Sequence, residues 1–282
     1  MRRVKEIVST TELLRIWAED LAAWRVPESI LSSTVESPWV LPEEVFARRA
    51  DRYLAEPGGP SYECALEALG RGGSVLDLGA GGGAASLPLA SRTTALTAVD
   101  SHQPLLDDLV RRATPLGLSP MVICGTWPEA AAKAPKADVV LCHHVIYNVA
   151  DLEPFIAATT RHARRRVVVE ITVRHPLADL NPYWKQFHGL DRPEGPTAEQ
   201  LIEIVEALGL HVKAERWTRP AMAEYGSFAT LVDVARRRLC LPPERRDDVA
   251  TALLNAGVAE DCPPDLGSSG RELVTLWWPG EA

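Results

Sequence analysis

The sequence predicts an α/β protein: a mostly parallel sheet covered by helices on both faces, with a helical segment placed ahead of it. Three observations carry this. From Ser74 onward short apolar runs alternate with helical patterns, and strands apolar along their whole length belong to sheets buried on both sides. The first such run, "VLDLGAGGGA" at 75–84, breaks into four glycines within five positions. The first seventy residues are filled by helical signals.

The elements follow in order. "STTELLRIWAEDLAAW" opens with a capping box, Ser9 and Glu12, and spaces Leu13, Leu14, Trp17, Leu21 and Trp24 along one helical face. Pro27 and Pro42 each start a further helix, because proline suits a first helical turn. "EPGGP", 56–60, has linker composition, and "SYECALEALG" is a helix ended by Gly70. Strands are expected at 74–78, 94–99, 120–124, 137–142 and 166–171, with helices at 84–90, 103–113 and across "DLEPFIAATTRHA". Asn181–His188 is a helical insertion, and Thr197 with Gln200 caps a helix that Gly209 ends. "LHVKAERW", two helices around Val232 and Ala250, and "ELVTLWW" complete the chain. The division expected is a helical lobe over 1–60 and a main domain over 61–282, with helical insertions near 180–208 and 221–256.

Composition excludes several classes. A net charge of −8 argues against a nucleic-acid partner, which would demand a basic surplus to neutralise phosphates. The arginine clusters at 164–166 and 236–238 are expected to be solvated ends of elements. The five cysteines form no CxxC pair, so neither a disulfide framework nor a metal site is indicated; Cys124 and Cys142 are expected to be small buried hydrophobes. The start, "MRRVKEIVST", has no apolar core behind its charges, and no window approaches a membrane span. A cytoplasmic location is expected, without membrane or metal; the oligomeric state is left open.

Strand, glycine loop and helix in succession make a nucleotide-type site, since glycine permits a tight turn and close backbone approach. Asp100 ends the next strand 17 positions beyond Gly83, a spacing at which a carboxylate accepts from both ribose hydroxyls. Gly79, Gly81 and Ala84 also fit the dinucleotide fingerprint G-x-G-x-x-G/A. Asp77 separates the two cofactor classes. Two residues before the first glycine it would repel a pyrophosphate, whereas an ammonium and a sulfonium would be stabilised by it. S-adenosylmethionine carries both cations and no phosphate.

"VLDLGAGGG", followed by "LTAVD", "ICGTWPE" and "ADVVLCHHVIYNV", resembles the class I S-adenosylmethionine-dependent methyltransferases, over roughly residues 70 to 175. The resemblance implies a Rossmann-like seven-stranded sheet with its last strand antiparallel, suiting the closing "LHVKAERW" and "ELVTLWW" pair, and a lobe that caps the cofactor cleft. It implies a cofactor loop of Gly79, Ala80, Gly81 and Gly83. Asp77 would hold the methionine ammonium, directly or through water, and Asp100 the ribose. Ser101, Thr126 and Trp127 would surround adenine, with Thr126 standing where relatives often have an aspartate.

The fourth strand ends at the ligand crevice of such a sheet, so His143, His144, Tyr147 and Asn148 are expected where cofactor and acceptor meet. Relatives often carry two histidines at the positions of Tyr147 and Asn148. His144, and after it His143, is the expected proton acceptor, because imidazole titrates near neutrality; His143 also belongs beside the cofactor. Trp184 and His188, with Tyr183 and Phe187, are expected to form a second acceptor wall. "NPYW" at Asn181 is taken as a helix start. The function expected is methyl transfer to a small-molecule oxygen, nitrogen or carbon. A non-catalytic S-adenosylmethionine-binding regulator or scaffold is the alternative, with a nicotinamide oxidoreductase behind both.

Overall fold

A computed structural model describes residues 8–264 and 271–281, apart from 33, 35, 40, 41 and 221. Its helices, in chain order with the strands, are α1 (Thr10–Ala22), α2 (Glu28–Leu31), α3 (Glu43–Ala55) and α4 (Pro60–Leu69), then β1 (Gly73–Leu78) and β2 (Thr93–Asp100). They continue as α5 (Gln103–Ala113), β3 (Met121–Cys124), β4 (Ala137–His143), α6 (Leu152–His162) and β5 (Ala163–Thr172). The rest are α7 (Asn181–His188), α8 (Ala198–Ala207), β6 (Lys213–Thr218), α9 (Phe228–Arg238), α10 (Arg246–Asn255) and β7 (Glu272–Pro279).

The seven strands form one sheet in the order β3-β2-β1-β4-β5-β7-β6. β7 runs antiparallel to both of its neighbours, and the remaining pairs are parallel. Alternation along each strand feeds two cores. Val139 and Leu141 of β4 join Val75, Ala98 and Val168 in a cluster closed by Leu69 of α4 and Leu106 and Leu109 of α5. Val140 and Cys142 face the other way, with Leu76, Val167, Phe155 of α6 and Leu201 of α8. This is the period-2 pattern of a sheet buried on both faces.

The N-terminal helices join these cores. Trp17 of α1 is fully buried in the second cluster, and its indole N–H donates to the Val149 carbonyl at 2.8 Å. Val26 and Val45 join a third cluster with Tyr183 and Trp184 of α7, Leu231 of α9 and Leu253 of α10.

Most expected elements are present, and the departures have physical causes. No α-helix follows the glycine loop: residues 81–86 form successive turns and Leu87–Arg92 is a 3₁₀ segment, consistent with three left-handed glycines and Pro88 between 79 and 88. The Ser9 cap is half a capping box, because Ser9 Oγ accepts from the Glu12 amide while the Glu12 carboxylate pairs with Arg15. The Thr197–Gln200 box is complete, and α7 begins at Asn181, as "NPYW" predicts. Cys124 is exposed at the end of the edge strand β3, not buried; Cys142 is buried, and burial pushes its thiol well up. Arg236 is likewise no solvated helix end: it is buried, donates to the Leu241 carbonyl at 2.8 Å and pairs with Glu36. Among the described residues no helix is long and apolar enough to cross a membrane.

Candidate active site

In a parallel sheet the loops after the strands open a crevice where the strand order reverses. Here the reversal lies between β1 and β4. A cleft of about 990 Å³ occupies that position, lined by the segments following β1, β2, β3, β4 and β5 and by α3. Its size suits a ligand of small-molecule or cofactor dimensions.

The glycine loop forms the β1 wall. Gly79, Gly81 and Gly83 have φ of +67°, +52° and +86°, the region in which side chains are strained. At Gly79 space forbids a side chain as well, because a Cβ there would stand 2.2 Å from Val145 Cγ2 on the β4 loop. Gly79 and Ala80 donate to the Val99 carbonyl at 2.8 and 3.1 Å, and the Gly81 amide donates to Asp100 Oδ2 at 2.8 Å. The His102 amide donates to the other carboxylate oxygen at 2.9 Å. Asp100 is therefore oriented by backbone at both oxygens, and a carboxylate keeps further lone pairs for hydroxyl donors. Phe46 and Arg49 of α3 roof this end.

Asp77 lies beneath the loop, 1% exposed, and is not among the residues that line the cleft. Burial raises its carboxyl to about 7, against a smaller opposing pull from Ser86, and the charge of Asp100 adds to the rise. Its Oδ2 has no hydrogen-bond partner. A buried carboxylate oxygen without a donor is costly, and a cation at the adjoining loop would offset that cost.

The β4 loop carries two histidines in different states. His143 lines the cleft, and burial lowers its imidazole to about 4, so it is neutral at pH 7; its Nε2 has no partner. His144 has φ +58°, a strained conformation that histidine adopts more readily than most residues. Glu170 of β5 fixes it at two points: the His144 amide donates to the Glu170 carbonyl at 2.9 Å, and His144 Nε2 stands 2.9 Å from Glu170 Oε1. That side-chain approach is too oblique for a directed hydrogen bond. Burial alone would raise Glu170, but Arg219 and the two histidines hold its carboxyl well below the usual range. Arg219 donates to Oε1 at 2.5 Å, and its guanidinium lies over the Tyr53 and Trp217 rings.

The structure brings Gly79, Ala80, Gly81, Asp100, Ser101, Thr126, Trp127, His143, His144, Tyr147 and Asn148 to this one cleft. Trp127 is mostly core, 8% exposed, with its indole N–H on Thr159, and shows only an edge to the cleft. Thr126 donates its hydroxyl to Glu129. Gly83 does not reach the cleft; its missing Cβ leaves room for Leu87 and Leu109. Trp184 and His188 do not reach it either. Trp184 is buried under Arg192, and His188 bonds to the Leu239 carbonyl, because α7 turns its aromatic face to α9 and α10. The wall expected there is built by His175, Pro176 and Leu177, after β5. Glu170, Arg219 and His175 were missed by sequence reasoning. Only Glu170 leaves a signal, a carboxylate inside the apolar run Val167–Ile171.

This strand order, with a glycine loop after β1 and an acid ending β2, defines the class I S-adenosylmethionine-dependent methyltransferase fold. Residues 75–166 match the family model described as "Methyltransferase domain". Over those residues the chain is similar to that class, whose cofactor is S-adenosylmethionine. It is similar to the ubiquinone biosynthesis O-methyltransferases of Bartonella bacilliformis, at 29% identity over 113 residues, and Bartonella quintana, at 33% over 112. These matches cover 40% and 39% of this chain and 43% and 42% of the relatives, so less than half of each curated relative's length is spanned. In fold it is similar to the YcgJ protein of Bacillus subtilis, with a TM-score of 0.52 at 15% identity, over 79% of this chain and 98% of that one.

Proposed function

We propose that this protein transfers a methyl group from S-adenosylmethionine to a small-molecule acceptor. One observation carries the reading: the glycine loop, the backbone-oriented Asp100 and the His143–His144 pair open on one cleft. The residues fit the cofactor. Asp77, with its unpartnered buried oxygen, answers the ammonium; Asp100 answers the ribose hydroxyls; Ser101, Thr126 and the edge of Trp127 border the adenine space. S-adenosylmethionine, when bound, supplies a methyl group already activated on a sulfonium.

The chain's own part is to position the acceptor and to receive its proton. His144 is the proton acceptor of this proposal. With Nε2 turned to Glu170, Nδ1 is the atom left to take the proton, and the ionised Glu170 stabilises the imidazolium that results. His143 stays neutral and borders the cofactor's methionine end. The names of the curated relatives favour an oxygen nucleophile on a small molecule. A cytoplasmic location, and a division into a lobe over 1–60 and a main domain over 61–282, belong to the same proposal.

Calorimetry with S-adenosylhomocysteine and with NAD is the first test, and micromolar binding of the former alone is expected, about −7 to −8 kcal/mol. NAD binding without a response to S-adenosylhomocysteine ends this reading. Transfer of labelled methyl into a cell extract, with mass identification of the product, then names the acceptor. Cofactor binding with no transfer to any acceptor favours the alternative, a non-catalytic regulator or scaffold. His144→Ala should lower kcat on the order of 10²–10⁴-fold.

A further inference from the structure

The acceptor end of the cleft has a wall of rings. Trp24 and His175 stack at 4.1 Å between centroids, His175 meets Tyr147 edge-on at 5.7 Å, and Tyr147 leads to His144 at 6.4 Å. Of these His175, Tyr147 and His144 line the cleft. The Leu177 amide donates to His175 Nδ1 at 3.3 Å, which places the proton of the neutral ring on Nε2. Burial, and then the nearby cations Arg238, Arg271 and Arg192, lower His175 to about 3, so it is neutral throughout the physiological range. The wall is aromatic, its rings inclined to one another by 63° at His175–Tyr147 and by 46° at Tyr147–His144.

At the His175 end stands Arg238, in the last turn of α9, half-buried and lining the cleft. The other charged residues of the lining have partners within the protein. Asp100 accepts from Gly81 and His102, Glu129 accepts from Thr126, and His102 faces Glu43. Glu170 holds Arg219, and Arg49 holds the buried Glu224. Arg238 makes no hydrogen bond or ion pair among the described residues. Its two neighbours in the helix are no substitute: Arg236 is tied to Leu241 and Glu36, and Arg237 does not reach the cleft. A guanidinium without a counter-ion, lining a cleft, is a forked donor matched to a carboxylate.

We propose that the methyl acceptor is an aromatic small molecule bearing a carboxylate, that Arg238 anchors this carboxylate, and that the body of the acceptor lies along His175 and Tyr147 toward His144. The inference rests on the methyltransferase reading above and adds the acceptor's charge and aromatic character. The anionic end and the reacting atom sit at opposite ends of the ring wall, so Arg238 fixes which atom reaches His144 and takes no part in the proton transfer.

The test uses the full chain saturated with S-adenosylhomocysteine, titrated with benzoate, salicylate and cinnamate and with the three corresponding amides. At least one acid is expected to bind tenfold or more tightly than its amide. Arg238→Gln should remove that preference, and Arg238→Lys should restore part of it, with the thermal unfolding of both variants checked against the parent. No acid preferred over its amide, or a preference that survives Arg238→Gln, overturns the inference. So does a loss in Arg238→Gln that falls on S-adenosylhomocysteine affinity, which would assign the guanidinium to the cofactor's own carboxylate. Failure of S-adenosylhomocysteine to bind the parent chain would instead remove the methyltransferase reading, and this inference with it.

Discussion

Asp77 shows how a buried carboxyl costs the free protein stability. Its carboxyl stands near 7 in the fold, because burial disfavours the charge, against about 3.9 in an unfolded chain. Between those two values the native state binds a proton that the unfolded state has lost, so stability falls as pH rises across that window. Three units correspond to on the order of 4 kcal/mol. Asp77→Asn should therefore raise the Tm of the free protein by several degrees at pH 8 and change it little at pH 4, as thermal unfolding at the two pH values would show. The same substitution should weaken S-adenosylhomocysteine binding at pH 8. In the parent, binding at a cationic partner should release a proton near neutrality and weaken as pH falls below about 7, which calorimetry in buffers of different ionisation enthalpy measures directly. Asp100 is different in kind: it orients the loop through Gly81 and His102 and also faces the cleft. Asp100→Ala should cost about 1.5–3 kcal/mol of cofactor affinity, the worth of hydrogen bonds to a charged acceptor. Unchanged affinity in calorimetry would place the ribose elsewhere.

At the scale of elements the glycine loop is a joint between β1 and β4. Gly79 combines a positive φ with the 2.2 Å approach that a Cβ would make to Val145 Cγ2. Gly79→Ala should destabilise the protein by at least about 2 kcal/mol in urea unfolding, from backbone strain and overpacking together. Val145→Ala in the same chain should recover part of that loss by relieving the contact; no recovery would make backbone strain the whole cause. Trp17 makes the same kind of joint from α1, capping the Val149 carbonyl in the loop that follows the histidines. Most of these elements were legible in advance. α5 spans Gln103–Ala113 and α7 spans Asn181–His188 as their punctuation predicts, because proline, glycine and apolar spacing act locally. The helix expected at 84–90 was not legible as turns, because its apolar residues describe burial equally well in either conformation.

For the whole molecule, a buried carboxylate ties the N-terminal helices to the far end of the chain. Glu224, 1% exposed, receives Arg49 at 3.1 Å and Arg52 at 2.7 Å from α3, the helix that roofs the glycine loop. Glu224→Gln would remove the buried charge that both cations share, and a loss of about 3–5 kcal/mol is expected in chemical unfolding; a loss below 1 kcal/mol would mean that solvent already screens the pair. Net charge acts at the same scale. At −8 the protein should show no tight, steeply salt-dependent association with tRNA or DNA at low ionic strength, which a filter-binding titration would check.

That Gly79, Gly81, Asp100 and the histidine pair converge on one cleft was readable from the sequence, because each sits within a few residues of a strand end and strand ends converge in a parallel sheet. The acceptor wall was not. Trp184 and His188 are aromatic and polar, yet α7 packs them onto α9 and α10; Glu170 and His175 flank the end of β5, while Arg219 follows β6 and Arg238 ends α9, so they come from three separate segments. Short-range chemistry writes turns, caps and strand ends into neighbouring residues. Which helix face turns toward a cleft, and which arginine is left without a partner, depends on contacts between residues far apart in the chain, and those exist only once the chain has folded.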